Sequence, residues 1–262
     1  MHAGKKTLVL TLACGVMVFL MCESMMGGTP PDVFPEGSVI LFQGDSITHG
    51  GRGRDMNHFM GHGYQAEVAM RYLAAYPRRG LKFLNRGVSG DTTVKLLARW
   101  EKDALNPVGD EAGFGREFGY TNVVERSAIP LRPDYLSILV GVNDQMEGVS
   151  TESYASNLVQ LIDQSLAANP RLKIILGEPF RCPRKNEPGF VSKQAFVRKF
   201  AAERGIVLVP YQRLFDEKLL KLNPDPGYWS WDGIHPTYPA HLYMADLWIE
   251  TVSESSAGCP GN

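Results

Sequence analysis

The chain has 262 residues, long enough for one substantial core, with 44% hydrophobic and 21% charged residues and a formal net charge of -1. No basic block stands out, which argues against nucleic acid as a partner, since phosphate binding needs a concentrated positive face. No Cys-x-x-Cys pair or His-rich cluster suggests zinc, and no phosphate-cradling Gly-x-Gly-x-x-Gly follows the first strand, which sets a flavin- or nucleotide-binding reading aside.

Residues 1–27 form a separate object. Lys5 and Lys6 precede an apolar run from Leu8 to Met21, short for a membrane span and suited to the apolar region of an export signal. An uncleaved membrane tether is the alternative. Cys22 stands where a bacterial lipoprotein carries its lipidated cysteine, but Phe19-Leu20-Met21 lacks the small residue such sites want before it. Gly27, Gly28, Thr29, Pro30 and Pro31 read as spacer. The expectation is an exported protein whose residues 28–262 form a single domain. Cys182 and Cys259 could pair in an oxidising compartment, although sequence cannot place them close in space.

From Ser38 the pattern alternates between short β-rich runs and helical stretches. Val39 to Phe42 is a compact apolar run ending at Gly44. Tyr64, Val68 and Tyr72, with Ala69 and Leu73 beside them, recur at helical spacing. Leu81 to Val88 reads as a second strand, and Asp91 as the cap of a helix burying Val94, Leu97, Ala98 and Leu105. Tyr135 to Val140 reads as a buried central strand. Thr151 is the expected cap of a helix bearing Tyr154, Leu158, Leu161, Ile162 and Leu166. Leu172 to Leu176 is a strand, Val191 to Arg204 a helix ended by Gly205, Ile206 to Val209 a fifth strand, and Thr237 to about Ser253 the last helix. Strand and helix in repeated alternation predict a parallel five-stranded sheet with helices on both faces. Between Asn106 and Pro130 the rhythm breaks into a Gly-rich loop of the length that is usually functional or disordered.

Ligands of such sheets bind at the carboxyl ends of the strands, and polar residues collect there. After the first strand come Gly44, Asp45 and Ser46, a serine placed for nucleophilic attack, though alone such a serine is more often a turn or helix cap. The second strand leads to Gly90, where backbone can approach a ligand closely. The third leads to Gly141-Val142-Asn143-Asp144, and the Asn143 amide can donate to an oxyanion. After the last strand, Asp232 stands three residues before His235, a spacing at which a turn through Gly233 lets the carboxylate orient the imidazole as a general base. The other five histidines lack such a setting. Glu178 ends the fourth strand and is expected to pair with a nearby arginine.

These four blocks, in this order, resemble the SGNH hydrolases, or GDSL esterases, over Ser38 to Trp248. The resemblance implies a three-layer α/β/α flavodoxin-like fold and no metal or organic cofactor. It implies Ser46 as nucleophile, His235 as base and Asp232 as its orienter. The oxyanion hole would be the Ser46 and Gly90 backbone N–H groups and the Asn143 side chain. The Gly-Asp-Ser-Ile-Thr segment resembles the bacterial carbohydrate-esterase branch, and the polar Arg52, Arg54 and Asp55 argue against long acyl chains. Hydrolysis of an acetyl ester on a small sugar or polysaccharide is therefore expected. A lipase or phospholipid acylhydrolase, and a non-catalytic carbohydrate-binding protein on the same scaffold, are the alternatives. Asp45, Asp144 and Trp231 are candidate substrate contacts. Trp231, with Tyr228 and Trp229, either stacks on a sugar or packs beneath the loop.

Overall fold

A computed structural model describes residues 28–52, 60–101 and 132–257. Residues 1–27 with Cys22, most of the polar loop with Arg54 and Asp55, the 106–130 loop, Leu105 and Cys259 lie outside the described residues.

The sheet runs β1 (Val39–Gly44), β2 (Lys82–Asn85), β3 (Tyr135–Leu139), β4 (Lys173–Gly177) and β5 (Val207–Val209). All four pairings are parallel, in the order β2-β1-β3-β4-β5. Every residue of β1 and β3 is buried, because both faces of the sheet are covered. Side chains alternate across the strand, so one continuous apolar run serves two cores. Ile40 and Phe42 enter a cluster with Tyr64, Tyr72 and Trp248. Leu41 enters the opposite cluster with Leu96, Trp100, Leu136 and Leu158.

The first of those faces is covered by α2 (Tyr64–Ala75) and α8 (Tyr238–Ala257), the second by α3 (Thr93–Ala98), α5 (Thr151–Ala168) and α6 (Pro188–Arg204). The result is the expected three-layer α/β/α fold. Short helices α1 (Ser46–His49), α4 (Val142–Met146) and α7 (Pro226–Trp229) follow strand ends or precede the last loop, and a helical stretch with a π-helical middle, Leu214–Leu219, leaves β5. The strand order reverses at β1, which leaves a crevice between the carboxyl ends of β1 and β3.

Three local expectations shift. Regular β2 ends at Asn85, but Arg86 and Val88 still donate to Phe42 and Gly44 carbonyls, so the expected pairing to Val88 persists without strand geometry. The cap of α3 is Thr92, whose hydroxyl accepts from Lys95 N–H, not Asp91, which is buried against Arg99. The buried stripe differs as well. Leu96 and Trp100 face the core, whereas Val94 and Ala98 do not. Ser150, one residue before the expected Thr151, caps α5.

Candidate active site

The junction between β1 and α1 is built for close approach. Gly44 has φ +155°, and a Cβ there would lie 2.2 Å from the Leu139 carbonyl oxygen on β3. Asp45 Oδ1 then accepts from Ile47 N–H at 3.0 Å and caps α1. Ser46 is thus the first residue of a one-turn helix, where a backbone N–H has no intrahelical acceptor. The other end of α1 is tied down by Asn85, whose amide donates to the Thr48 carbonyl at 2.7 Å and to the Met60 carbonyl at 2.8 Å.

The loop before α8 delivers the second component. Gly233 takes φ +85°, and its carbonyl accepts from Cys182 N–H at 3.1 Å. Within this turn Asp232 Oδ1 accepts from the Ile234 and His235 N–H groups at 2.9 and 2.8 Å. Its Oδ2 faces His235 Nδ1 at 2.6 Å. Ser46 Oγ lies 2.7 Å from His235 Nε2, although 189 positions separate the two residues. Asp232 is acceptor-only when ionised, so Nδ1 carries the proton and Nε2 is free to take one from the serine. Partial burial pushes the Asp232 carboxyl up. The bonds from His235 and Ile234 outweigh this and hold it below the usual carboxylate range.

The third component comes from β2 and β3. Gly90 has φ +82° and faces open space. Asn143, in α4, donates one amide hydrogen to the Asp91 carbonyl at 2.9 Å, which orients the group and leaves its second hydrogen to another acceptor.

Asp45 and Asp144, expected as substrate contacts, lie beneath the site instead. Both are fully buried. Asp144 accepts from the Thr93 N–H and hydroxyl, while Asp45 is the α1 cap. Their carboxyls are taken up by bonds within the turns that support their half-buried neighbours, Ser46 and Asn143. Glu178 pairs with Arg198 as expected. Trp229 is buried against Tyr243, whereas Trp231 is 69% exposed.

Ser46, His235 and Trp231 border a cleft of about 380 Å³. Its wall holds three histidines that sequence reasoning set aside, His49, His62 and His241, together with Tyr238. The Tyr238/His241 spacing of three on a helix was the available signal, but only the docking of α8 turns that face towards Ser46. Among the described residues no three His, Cys, Asp or Glu side chains are grouped to hold a metal ion.

A serine, histidine and aspartate in hydrogen-bonded sequence at the switch point of a parallel α/β sheet, beside an oriented amide donor, is the arrangement of a serine hydrolase. Residues 42–242 match the profile of the GDSL-like lipase/acylhydrolase family, and the chain belongs to that family. It is accordingly a carboxylic ester hydrolase. The acetylxylan esterase of Geobacillus stearothermophilus is 29% identical over 235 residues, 82% of this chain and 94% of the relative. The crystal structure of that kind of enzyme from the same organism, Axe2, has a TM-score of 0.67 at 28% identity, covering 83% of this chain and 95% of Axe2. LAE5, an α/β hydrolase enzyme from the metagenome of Lake Arreo, Spain, has a TM-score of 0.66 at 26% identity, covering 85% of this chain and 98% of LAE5.

Proposed function

We propose that the protein is a serine esterase that removes short acyl groups, acetyl foremost, from a carbohydrate. The observation that carries this reading is the Ser46–His235–Asp232 chain, with its contacts of 2.7 and 2.6 Å. Ser46 Oγ attacks the ester carbonyl carbon while His235 Nε2 takes its proton. The Ser46 and Gly90 N–H groups and the Asn143 amide donate to the oxyanion. As the carbon–oxygen bond to the sugar breaks, His235 returns the proton to the departing oxygen. Water then attacks the acyl-serine, again with His235 as base, and the carboxylic acid leaves with Ser46 restored.

Two findings on relatives support the reading. The curated relative is an acetylxylan esterase. Solved variants of Axe2 described as catalytic mutants replace a serine in one case and a histidine in another. The carbohydrate part also draws on the export reading of residues 1–27, which would bring the enzyme to polysaccharide outside the cytoplasm.

The test is acetate release from acetylated xylan and from vinyl acetate. Wild-type enzyme is expected to turn over both, and Ser46→Ala to lose on the order of 10⁴-fold or more in kcat while keeping its fold by circular dichroism. A Ser46→Ala variant of wild-type rate would remove the nucleophile assignment. Rates that rise with acyl length from acetate to octanoate would favour the lipase alternative.

A further inference from the structure

The oxyanion donors and the general acid leave one wall of the cleft without a task. That wall is the first turn of α8, where Tyr238 and His241 stand three residues apart and both border the cleft. His241 is only 7% exposed. Its Nδ1 accepts the Tyr64 backbone N–H at 3.1 Å. A ring nitrogen that accepts carries no proton, so the neutral imidazole must hold its hydrogen on Nε2. Burial drives the His241 pKa down to about 3, with repulsion from His62 and His235 adding to it. The ring therefore stays a neutral, single-hydrogen donor at every pH where the enzyme would work. Among the described residues no hydrogen-bond acceptor is found for Nε2, and His241 borders the cleft.

Tyr238 is the complement. It is 71% exposed. The His62 ring props it, edge to face, with centroids 5.9 Å apart. The His62 backbone is in turn fixed by its N–H donating to the Gly50 carbonyl at 2.8 Å, and a Cβ on Gly51 would come within 2.6 Å of the His62 ring. The wall is thus a supported aromatic surface beside a buried donor, and among the described residues no Asp, Glu, Lys or Arg lines the cleft.

Chemistry places this wall on the alcohol side of the ester. The carbonyl oxygen must turn towards Gly90 and Asn143. The leaving oxygen must meet His235, which gives it a proton. Tyr238 and His241 follow His235 in the chain at once and border the same cleft. We propose that they form the leaving-group subsite and select a neutral, hydroxylated sugar. The His241 Nε2–H donates to a hydroxyl or ring oxygen, and the Tyr238 ring packs against the apolar face of the pyranose. This rests on the serine-esterase reading above.

The test compares kcat/KM for an acetylated xylooligosaccharide with kcat/KM for vinyl acetate, whose leaving group is too small to reach Tyr238. Tyr238→Ala is expected to raise KM for the sugar ester about fivefold, and His241→Leu to lower kcat/KM for it about tenfold, as for one lost neutral hydrogen bond. Both should stay within about twofold of wild type on vinyl acetate. His241→Gln, which can return an amide N–H to the Nε2 position, should recover part of the sugar activity. Equal losses on both substrates, or no loss on the sugar ester, overturn the subsite. Should His241→Leu fail to fold through loss of its bond to Tyr64, the exposed Tyr238→Ala still decides the matter. Wild-type enzyme inactive on vinyl acetate and the sugar ester alike would instead overturn the esterase reading itself.

Discussion

Asp232 does two things with one carboxylate. Oδ1 closes the turn by accepting two backbone N–H groups, and Oδ2 holds the His235 ring. Asp232→Asn separates the two. The amide oxygen can still close the turn, but an NH₂ group would then face Nδ1 and favour the tautomer that has no lone pair for the Ser46 proton. The expected outcome is a loss of about 10³–10⁴ in kcat with little change in thermal stability, read from steady-state rates on vinyl acetate. Legibility at this scale was uneven. The spacing of Asp232 and His235 is local, so their partnership could be read from the chain. His241 could not, because its role comes from Tyr64 on another helix, and Asp45 and Asp144 were misplaced because a polar residue next to a functional one need not share its direction.

Helix and strand ends set those directions. Ser46 projects into the cleft because β1 stops against β3 at Gly44 and α1 begins at once. Gly44→Ala would force a methyl group into the Leu139 carbonyl at a φ that L residues rarely adopt. A loss of about 3 kcal/mol or more is expected, seen as a lower urea midpoint, together with reduced kcat, since the backbone can relieve the clash only by moving Ser46. Periodicity found α2 and α5, whose apolar stripes are long. It mistook the face of α3, a helix of six residues. Val94, Leu97 and Ala98 share one face and Leu96 and Trp100 another, and so short a helix offers too few turns for the pattern to tell which is buried.

Across the whole molecule, the three strand ends that present Ser46, Gly90 and Asn143 also gather Asp45, Asp91 and Asp144 beneath them. Burial, with repulsion from Asp144 and Asp91 added against the Ile47 N–H bond, raises the Asp45 pKa from 3.8 to about 7. Between those values the folded protein holds a proton that the unfolded chain has released. Asp45 therefore costs stability progressively as pH rises from about 4 to about 7, and no more above that. Asp45→Asn keeps an acceptor for Ile47 and removes the ionisation. Its urea midpoint should match wild type near about pH 4.5 and exceed it near about pH 8; a difference that does not grow with pH would contradict the buried-acid account. The alternation of apolar runs and helical stripes was enough by itself to predict the parallel sheet with helices on both faces, and the four polar blocks in order carried the resemblance that implied the Ser46, Asn143, Asp232 and His235 set. These depend on local periodicity and on the rule that strand ends collect at one edge. Only the tertiary structure decided which polar side chains at that edge face the cleft, that Ser46 and His235 meet at hydrogen-bond distance, and that α8 brings Tyr238 and His241 beside them. Those outcomes depend on how separately formed elements dock, which is set by contacts between residues far apart in the chain.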